Sequence, residues 1–222
     1  MTDKARLFYV GMINTLDYSG LVGINLHVGP GARKMLGVIR ALRTQNINCY
    51  LLSLPVLGKN AEVPFFPFTI LVGQGVPQIY LPTVRNRYYR KLLSLVCFSF
   101  FCIFGTKKKD QIILYNYAFE YLAGAIILYF RDAPAILDIE DGPRNDERGV
   151  RGFLNRLLFK VFSALTKRKK LIVSHQLAHA LNIEEYHVVY GAVNSFSKPG
   201  ELSLVDWDSI KKGGPLVLHY GG

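Results

Sequence analysis

The sequence predicts an α/β fold: a parallel sheet covered by helices on both faces. Three observations carry this expectation. From residue 111 to residue 190, apolar runs of strand length alternate with helical stripes, a pattern that buries a parallel sheet under crossover helices. The same order opens the chain, with a strand-like run at residues 5–13, a glycine-rich segment and an amphipathic helix. At 222 residues and 50% hydrophobic content, the chain has enough apolar surface for a substantial core.

The first run, ARLFYVGMI, is apolar and of strand length. The segment GLVGINLHVGPGARKMLGVIRAL, beginning at Gly20, then passes from glycines into a helix whose apolar stripe is Met35, Leu36, Val38, Ile39 and Leu42. Unpaired N–H groups and a partial positive charge at such a helix start suit an anion, and glycine lets a phosphate approach closely. Gly29 and Gly31 are the candidates for that contact. The third glycine of a dinucleotide fingerprint is missing and no Gly-Lys-Ser/Thr closes the loop, which argues against NAD and P-loop sites. A plain glycine turn without a ligand stays open as the alternative.

Residues 48–54 (NCYLLSL) read as the second strand, 55–77 as an irregular excursion rich in Pro, Gly and Phe, and 79–81 as a further short strand. In RNRYYRKLLSLVCFSFFCIFG, the apolar run at 92–104 is shorter than the roughly 20 residues of a bilayer-spanning helix. Apolar on all sides, it predicts a buried core helix, with a helix at a membrane surface as the alternative.

Strand 111–115, helix 118–130, strand 135–139, an acidic turn at 140–146, helix 149–165 and strand 170–173 follow in strict alternation. Ser174 is placed to cap a helix running to Leu181, and residues 186–190 give the last strand. Ligands of such sheets bind at the carboxyl ends of the strands, here residues 14–31, Asn116, 140–142, Ser174 and 191–194. The composition turns polar at 195–214, which reads as a linker after a domain spanning 1–194, and a new strand begins at Pro215 within 215–222.

The net charge of +11 arises from 27 basic and 16 acidic residues, clustered at 85–91, 107–109, 144–160 and 167–170. Such a balance suits a polyanionic partner, though charge runs also form ordinary solvated faces. Zinc-finger spacing, the aromatic RNA-recognition signature and a helix-turn-helix are all missing, so no nucleic-acid partner is expected. Cys49, Cys97 and Cys102 lie in apolar runs and read as core thiols, and neither they nor the histidines space a metal site. No apolar leader precedes the first strand, which makes a cytoplasmic location the default.

The segments GPGARKMLGVIRALRTQNINCYLLS, ILYNYAFEYLAGAIILYFRDAPAILDIEDG, KLIVSHQLAHALNI with HVVYGAVN, and PLVLHYGG together resemble the N-terminal domain of family 4 glycosyltransferases of the GT-B fold and the first strand of the domain that follows. The resemblance covers nearly the whole chain. It implies a Rossmann-like domain that binds the acceptor, forming the N-terminal half of a GT-B architecture, with a C-terminal domain for the nucleotide-sugar donor. The family's paired glutamates belong to that second domain, and no residue here matches them.

Carried onto this sequence, the resemblance places Gly29 and Gly31 near the donor phosphates. It places Glu140 and Asp141 as catalytic carboxylates beside the reacting sugar; His27 in the glycine loop and Asn116 at a strand end are the candidates for binding the acceptor. A helix-capping acidic turn before Pro143 is the alternative for Glu140 and Asp141. The implied function is sugar transfer from a nucleotide sugar to a hydroxyl of a glycan or lipid-linked acceptor, without a metal or other cofactor. The setting implied is cell-surface polysaccharide or glycolipid synthesis, peripheral on the inner membrane face where the basic clusters meet anionic lipid. Two alternatives are a non-catalytic subunit that docks a separate donor-binding chain, and a nucleotide-binding regulator.

Overall fold

The computed structural model describes residues 5–23, 29–58, 61, 63–133, 135–143, 149–166 and 170–189. The expected linker and final strand lie outside them. The described chain forms strands β1 (Arg6–Gly11), β2 (Asn48–Ser53), β3 (Phe65–Phe66), β4 (Thr69–Gly73), β5 (Val76–Tyr80), β6 (Thr83–Val84), β7 (Gln111–Tyr115), β8 (Ala135–Ile139), β9 (Lys170–Ile172) and β10 (Tyr186–Val188). The helices are α1 (Leu16–Leu21), α2 (Pro30–Thr44), α3 (Arg87–Phe100), α4 (Leu122–Phe130), α5 (Gly149–Leu165) and α6 (His175–Ala180).

Eight strands make one sheet in the order β10-β9-β8-β7-β1-β2-β5-β4. Every pairing in it is parallel except β4 with β5. Helix α2 covers one face, where Met35, Leu36 and Ile39 pack on Tyr9, Cys49, Leu51 and Ile113. On the opposite face Phe98 of α3, Ala125 and Leu128 of α4, Phe159 and Phe162 of α5 and Ala178 of α6 pack on Phe8, Val10, Leu114, Leu137 and Ile139. The expected α/β class with helices on both faces is therefore what the chain adopts.

The excursion expected at 55–77 is more regular than the composition suggests. β4 and β5 form a hairpin whose turn residues Gln74 and Gly75 both adopt positive φ, 53° and 73°, the conformation that matches the twist of a tight hairpin. Likewise α1, within the long loop expected after β1, is a short helix capped by Thr15. It seats Tyr18 on Tyr80 in a stacked pair 4.0 Å apart, closing a small cluster with Val22, Leu57 and Ala61.

The helix expected to be buried all round is half right. Asn86 caps α3 by accepting from the Tyr88 and Tyr89 N–H groups, and a π-helical turn, Phe101–Gly105, extends it. Together these span 19 residues, enough by length and composition to cross a bilayer. Ser94, Phe98 and Cys102 are nevertheless buried against the sheet and α4, where Gly124 comes so close that a Cβ would lie 2.4 Å from the Phe98 ring. The outer side stays open: Leu92, Val96, Phe100 and Ile103 are exposed, and Phe104 is 77% exposed. Arg131 closes the carboxyl end by donating to the carbonyls of Cys102, Ile103 and Thr106.

A buried carboxylate ties β1 to the segment before β7. Asp110 accepts from the Arg6 guanidinium at 2.6 Å, the Arg6 N–H at 3.0 Å and the Lys107 N–H at 2.8 Å. Burial works against its charge, but these donors outweigh it and hold the carboxyl below the usual range. A depressed folded pKa contributes stability that is present above the unfolded value, near 3.9, and is lost as pH falls through the folded value. Asp110→Asn is therefore expected to cost about 1–2 kcal/mol at pH 7, with Arg6 partly exposed, and to differ little from wild type well below pH ~3.9 in denaturant titrations.

Candidate active site at the carboxyl edge of the sheet

The sheet order reverses direction at β1, which pairs with β2 on one side and β7 on the other. The crevice beyond the carboxyl ends of such neighbouring strands is where open α/β sheets hold ligands. A charged cluster is built there from α2, β1, β7, β8 and the turn after β8.

Lys34, on the first turns of α2, is only 5% exposed along its side chain. Its ammonium group lies 3.0 Å from one Asp138 oxygen, 3.1 Å from the other and 2.6 Å from Glu140 Oε1. Asp138 ends a strand of otherwise apolar residues and is fully buried; the Tyr9 hydroxyl donates to it from β1. Burial pushes its carboxyl upward, while Lys34 and Tyr9 pull it back down. A charge inside an apolar strand is tolerated only with such partners.

The second oxygen of Glu140 accepts from the Tyr115 hydroxyl at 2.9 Å. Both carboxylate oxygens are thus held in place, one by a cation and one by a phenol. The hydroxyls of Tyr9 and Tyr115 are pushed well above their usual range, in each case by burial first and then by the adjacent carboxylate. Both phenols therefore remain donors at physiological pH.

Gly31 explains how Tyr115 is seated. A Cβ at position 31 would fall 2.3 Å from the Tyr115 hydroxyl oxygen, whereas one at Gly29, the N-cap of α2, would meet nothing within 4 Å. The glycine of closest approach serves the ring that holds Glu140. Gly31→Ala is expected to displace Tyr115 and cost about 1–3 kcal/mol in a denaturant titration, an overpacking effect in a fixed wall.

Asn116 follows β7 with a φ of 56°, the left-handed region that asparagine tolerates well. Its side-chain oxygen accepts from the N–H groups of Glu140 at 2.8 Å and Asp141 at 3.3 Å, so it shapes the acidic turn. Asp141 itself is exposed. Together with Asn116, Tyr117, Glu140, Gly142 and Arg151 it lines a polar cleft of about 650 Å³. The structure thus brings Gly31, Asn116, Glu140 and Asp141 together, with Gly29 at the start of the same helix; His27 lies outside the described residues.

Sequence reading passed over Lys34, Asp138, Tyr9 and Tyr115. Two signals were present: an aspartate inside the strand AILDI, and a lysine directly beside the buried pair Met35 and Leu36. Each is a charge where burial is expected, and each implies a partner. Among the described residues no group of three or more His, Cys, Asp and Glu is arranged to hold a metal ion.

Solved structures share this architecture. UDP-N-acetylglucosamine 2-epimerase matches with a TM-score of 0.53 at 13% identity, over 85% of this chain and 48% of its own. S. aureus MnaA, solved with UDP, matches with a TM-score of 0.50 at 13% identity, over 84% of this chain and 43% of its own. The chain spans less than half the length of either, and the likeness shows the fold: one half of a GT-B-type architecture of the kind nucleotide-sugar enzymes use. No protein-family model matches the sequence, and no curated protein does.

Proposed function

We propose that the chain is the acceptor-binding half of a sugar transferase that works with a nucleotide-sugar-binding counterpart. The observation that carries this reading is the cluster at the switch point: a carboxylate fixed by Lys34 and Tyr115, with a second, exposed carboxylate next to it on the wall of an open cleft. The shared fold supports the nucleotide-sugar class, since one structural relative is solved with UDP.

In this mechanism the acceptor hydroxyl enters the cleft beside Asp141, whose carboxylate takes its proton. The acceptor oxygen then bonds to the anomeric carbon of the donor sugar. The bond from that carbon to the nucleotide's phosphate oxygen breaks, and its electron pair leaves with the nucleotide. Glu140, held by its two donors, orients the hydroxyl and stabilises positive charge developing on the sugar. Gly29 and the start of α2 face the departing phosphate. Purified alone, residues 1–222 are expected to show no transfer from any nucleotide sugar; turnover above background would refute the division of labour between two halves.

The outer side of α3 supports a place at a membrane surface. Its exposed Leu92, Val96, Phe100 and Phe104 are flanked by Arg87, Arg90 and Lys91 at one end and Lys107, Lys108 and Lys109 at the other, a pattern that suits an anionic membrane surface. Each basic residue near the surface should contribute about 1 kcal/mol to vesicle binding, falling as salt rises. Equal partitioning onto neutral and anionic vesicles at low salt would count against it.

A further inference from the structure

This inference rests on the acceptor reading above and names the chemical class of the acceptor. Beside the polar cleft lies a second cavity of about 590 Å³ between the start of α3, the start of α4 with the turn before it, and α5. Its walls are chiefly apolar: Phe119, Leu122, Leu154, Leu157, Leu158 and Val161. Its polar contributors are Lys91, Arg151 and Asn155. Arg151 and Asn155, one turn apart on α5, line this groove and also the cleft that contains Glu140 and Asp141. The two cavities are therefore neighbours joined by shared walls, one apolar and one polar, with the cationic Arg151 at the junction and Lys91 on the wall of the apolar groove.

From this juxtaposition we infer that the acceptor is an anionic amphiphile, with its hydrocarbon chain in the α3–α4–α5 groove, its phosphate-type head group at Lys91 and Arg151, and its reactive hydroxyl in the cleft beside Asp141. The volume lies within the range of sites for small molecules, and an apolar lining with a few placed polar groups is their usual make-up. Charge sets the direction. A phosphate is drawn to Arg151 at the junction, with Lys91 on the groove wall behind it, and repelled by Glu140 and Asp141, so the head group stops there and only the uncharged hydroxyl proceeds. A water-soluble sugar would use the cleft and leave the leucine-lined groove without a role. The same groove opens between helices whose outer sides expose Phe153 on α5 and Ile126 on α4, with Phe130 at 81% exposure, which suits a ligand drawn from a bilayer.

Isothermal titration of the full chain with octyl, decyl and dodecyl phosphate, each below its micellar concentration and at low salt, tests this directly. Affinity is expected to rise about two- to fourfold per added methylene until the groove is filled. Decyl phosphate should bind at least fivefold more tightly than the neutral decyl maltoside, and inorganic phosphate should bind far more weakly than either. Leu157→Glu, at an exposed position, should abolish the chain-length dependence. Arg151→Gln should remove most of the preference for phosphate over maltoside.

Binding that is independent of chain length, or unchanged in Leu157→Glu, overturns the inference. So does a concentration-dependent dimer that Leu157→Glu abolishes in a chain that binds no alkyl phosphate, since the groove would then be a protein interface. These titrations contain no sugar nucleotide, so the two readings fail separately. With the chain assayed for transfer together with a donor-binding counterpart, transfer onto a soluble sugar without alkyl phosphate binding removes this inference alone, while alkyl phosphate binding with no transfer by that pair removes the transferase reading and leaves an amphiphile site.

Discussion

Lys34→Met is expected to lower the unfolding free energy by about 3–5 kcal/mol at pH 7, the largest stability effect of any single substitution in the cluster. The reason is the fate of the partners. Asp138 is fully buried and would keep only the Tyr9 hydroxyl, while Glu140 would keep only Tyr115. An unpartnered buried carboxylate costs more than the intact ion pair contributes, and methionine, though similar in shape, supplies no charge.

The pH dependence has a definite sign. Burial raises the Asp138 carboxyl in the folded state even with Lys34 present, and removing the lysine removes the main opposing influence. A group with a raised folded pKa costs stability as pH climbs through and above the ordinary carboxylate value of about 3.9, and that cost disappears as the group is protonated. The gap between wild type and Lys34→Met should therefore narrow as pH is lowered toward that value. Chemical denaturation at a series of pH values checks this, and a gap that stays constant would mean that Lys34 contributes by packing and not by charge.

The second large effect is on turnover in the proposed transfer reaction. Asp141→Asn is expected to reduce it by about tenfold or more with the unfolding midpoint almost unmoved, because Asp141 is exposed and lines the cleft. Glu140→Gln should behave differently. Its side chain is 22% exposed and bonds both Lys34 and Tyr115, so a loss of about 1 kcal/mol in stability should accompany a comparable fall in turnover. The resemblance treats the two carboxylates alike, as residues beside the reacting sugar, with a capping turn as the alternative for both. Both line the cleft, but Glu140 is bonded to Lys34 and Tyr115 within the cluster, whereas Asp141 is exposed.

How far the sequence carries is clear from particular elements. β7, β8 and α5 are legible to the residue, since each is a periodic or apolar run bounded by polar turns. The β4–β5 hairpin is not, because Pro77 and the Gln74–Gly75 turn give it the composition of a loop, while its pairing depends on tertiary contact with β2. In α3 the apolar composition signals burial, yet only one side meets the sheet; hydropathy measures what a helix is made of and not what is available to cover it. Glu140 and Asp141 follow from strand order, which sends the ends of β-strands toward one crevice. Lys34 and Asp138 stand 104 residues apart, and nothing local announces that a lysine of the first long helix and an aspartate of a later strand will share a buried contact.

The most direct test of the central claim is acceptor-dependent nucleotide release by the protein purified from its native host together with the donor-binding counterpart proposed for it, assayed against a panel of nucleotide sugars with wild type and Asp141→Asn in parallel. Release that requires both a nucleotide sugar and a hydroxyl acceptor, and that falls about tenfold or more in Asp141→Asn, is the predicted result. Release at the same rate in Asp141→Asn, or none across the panel from a folded complex, would contradict it.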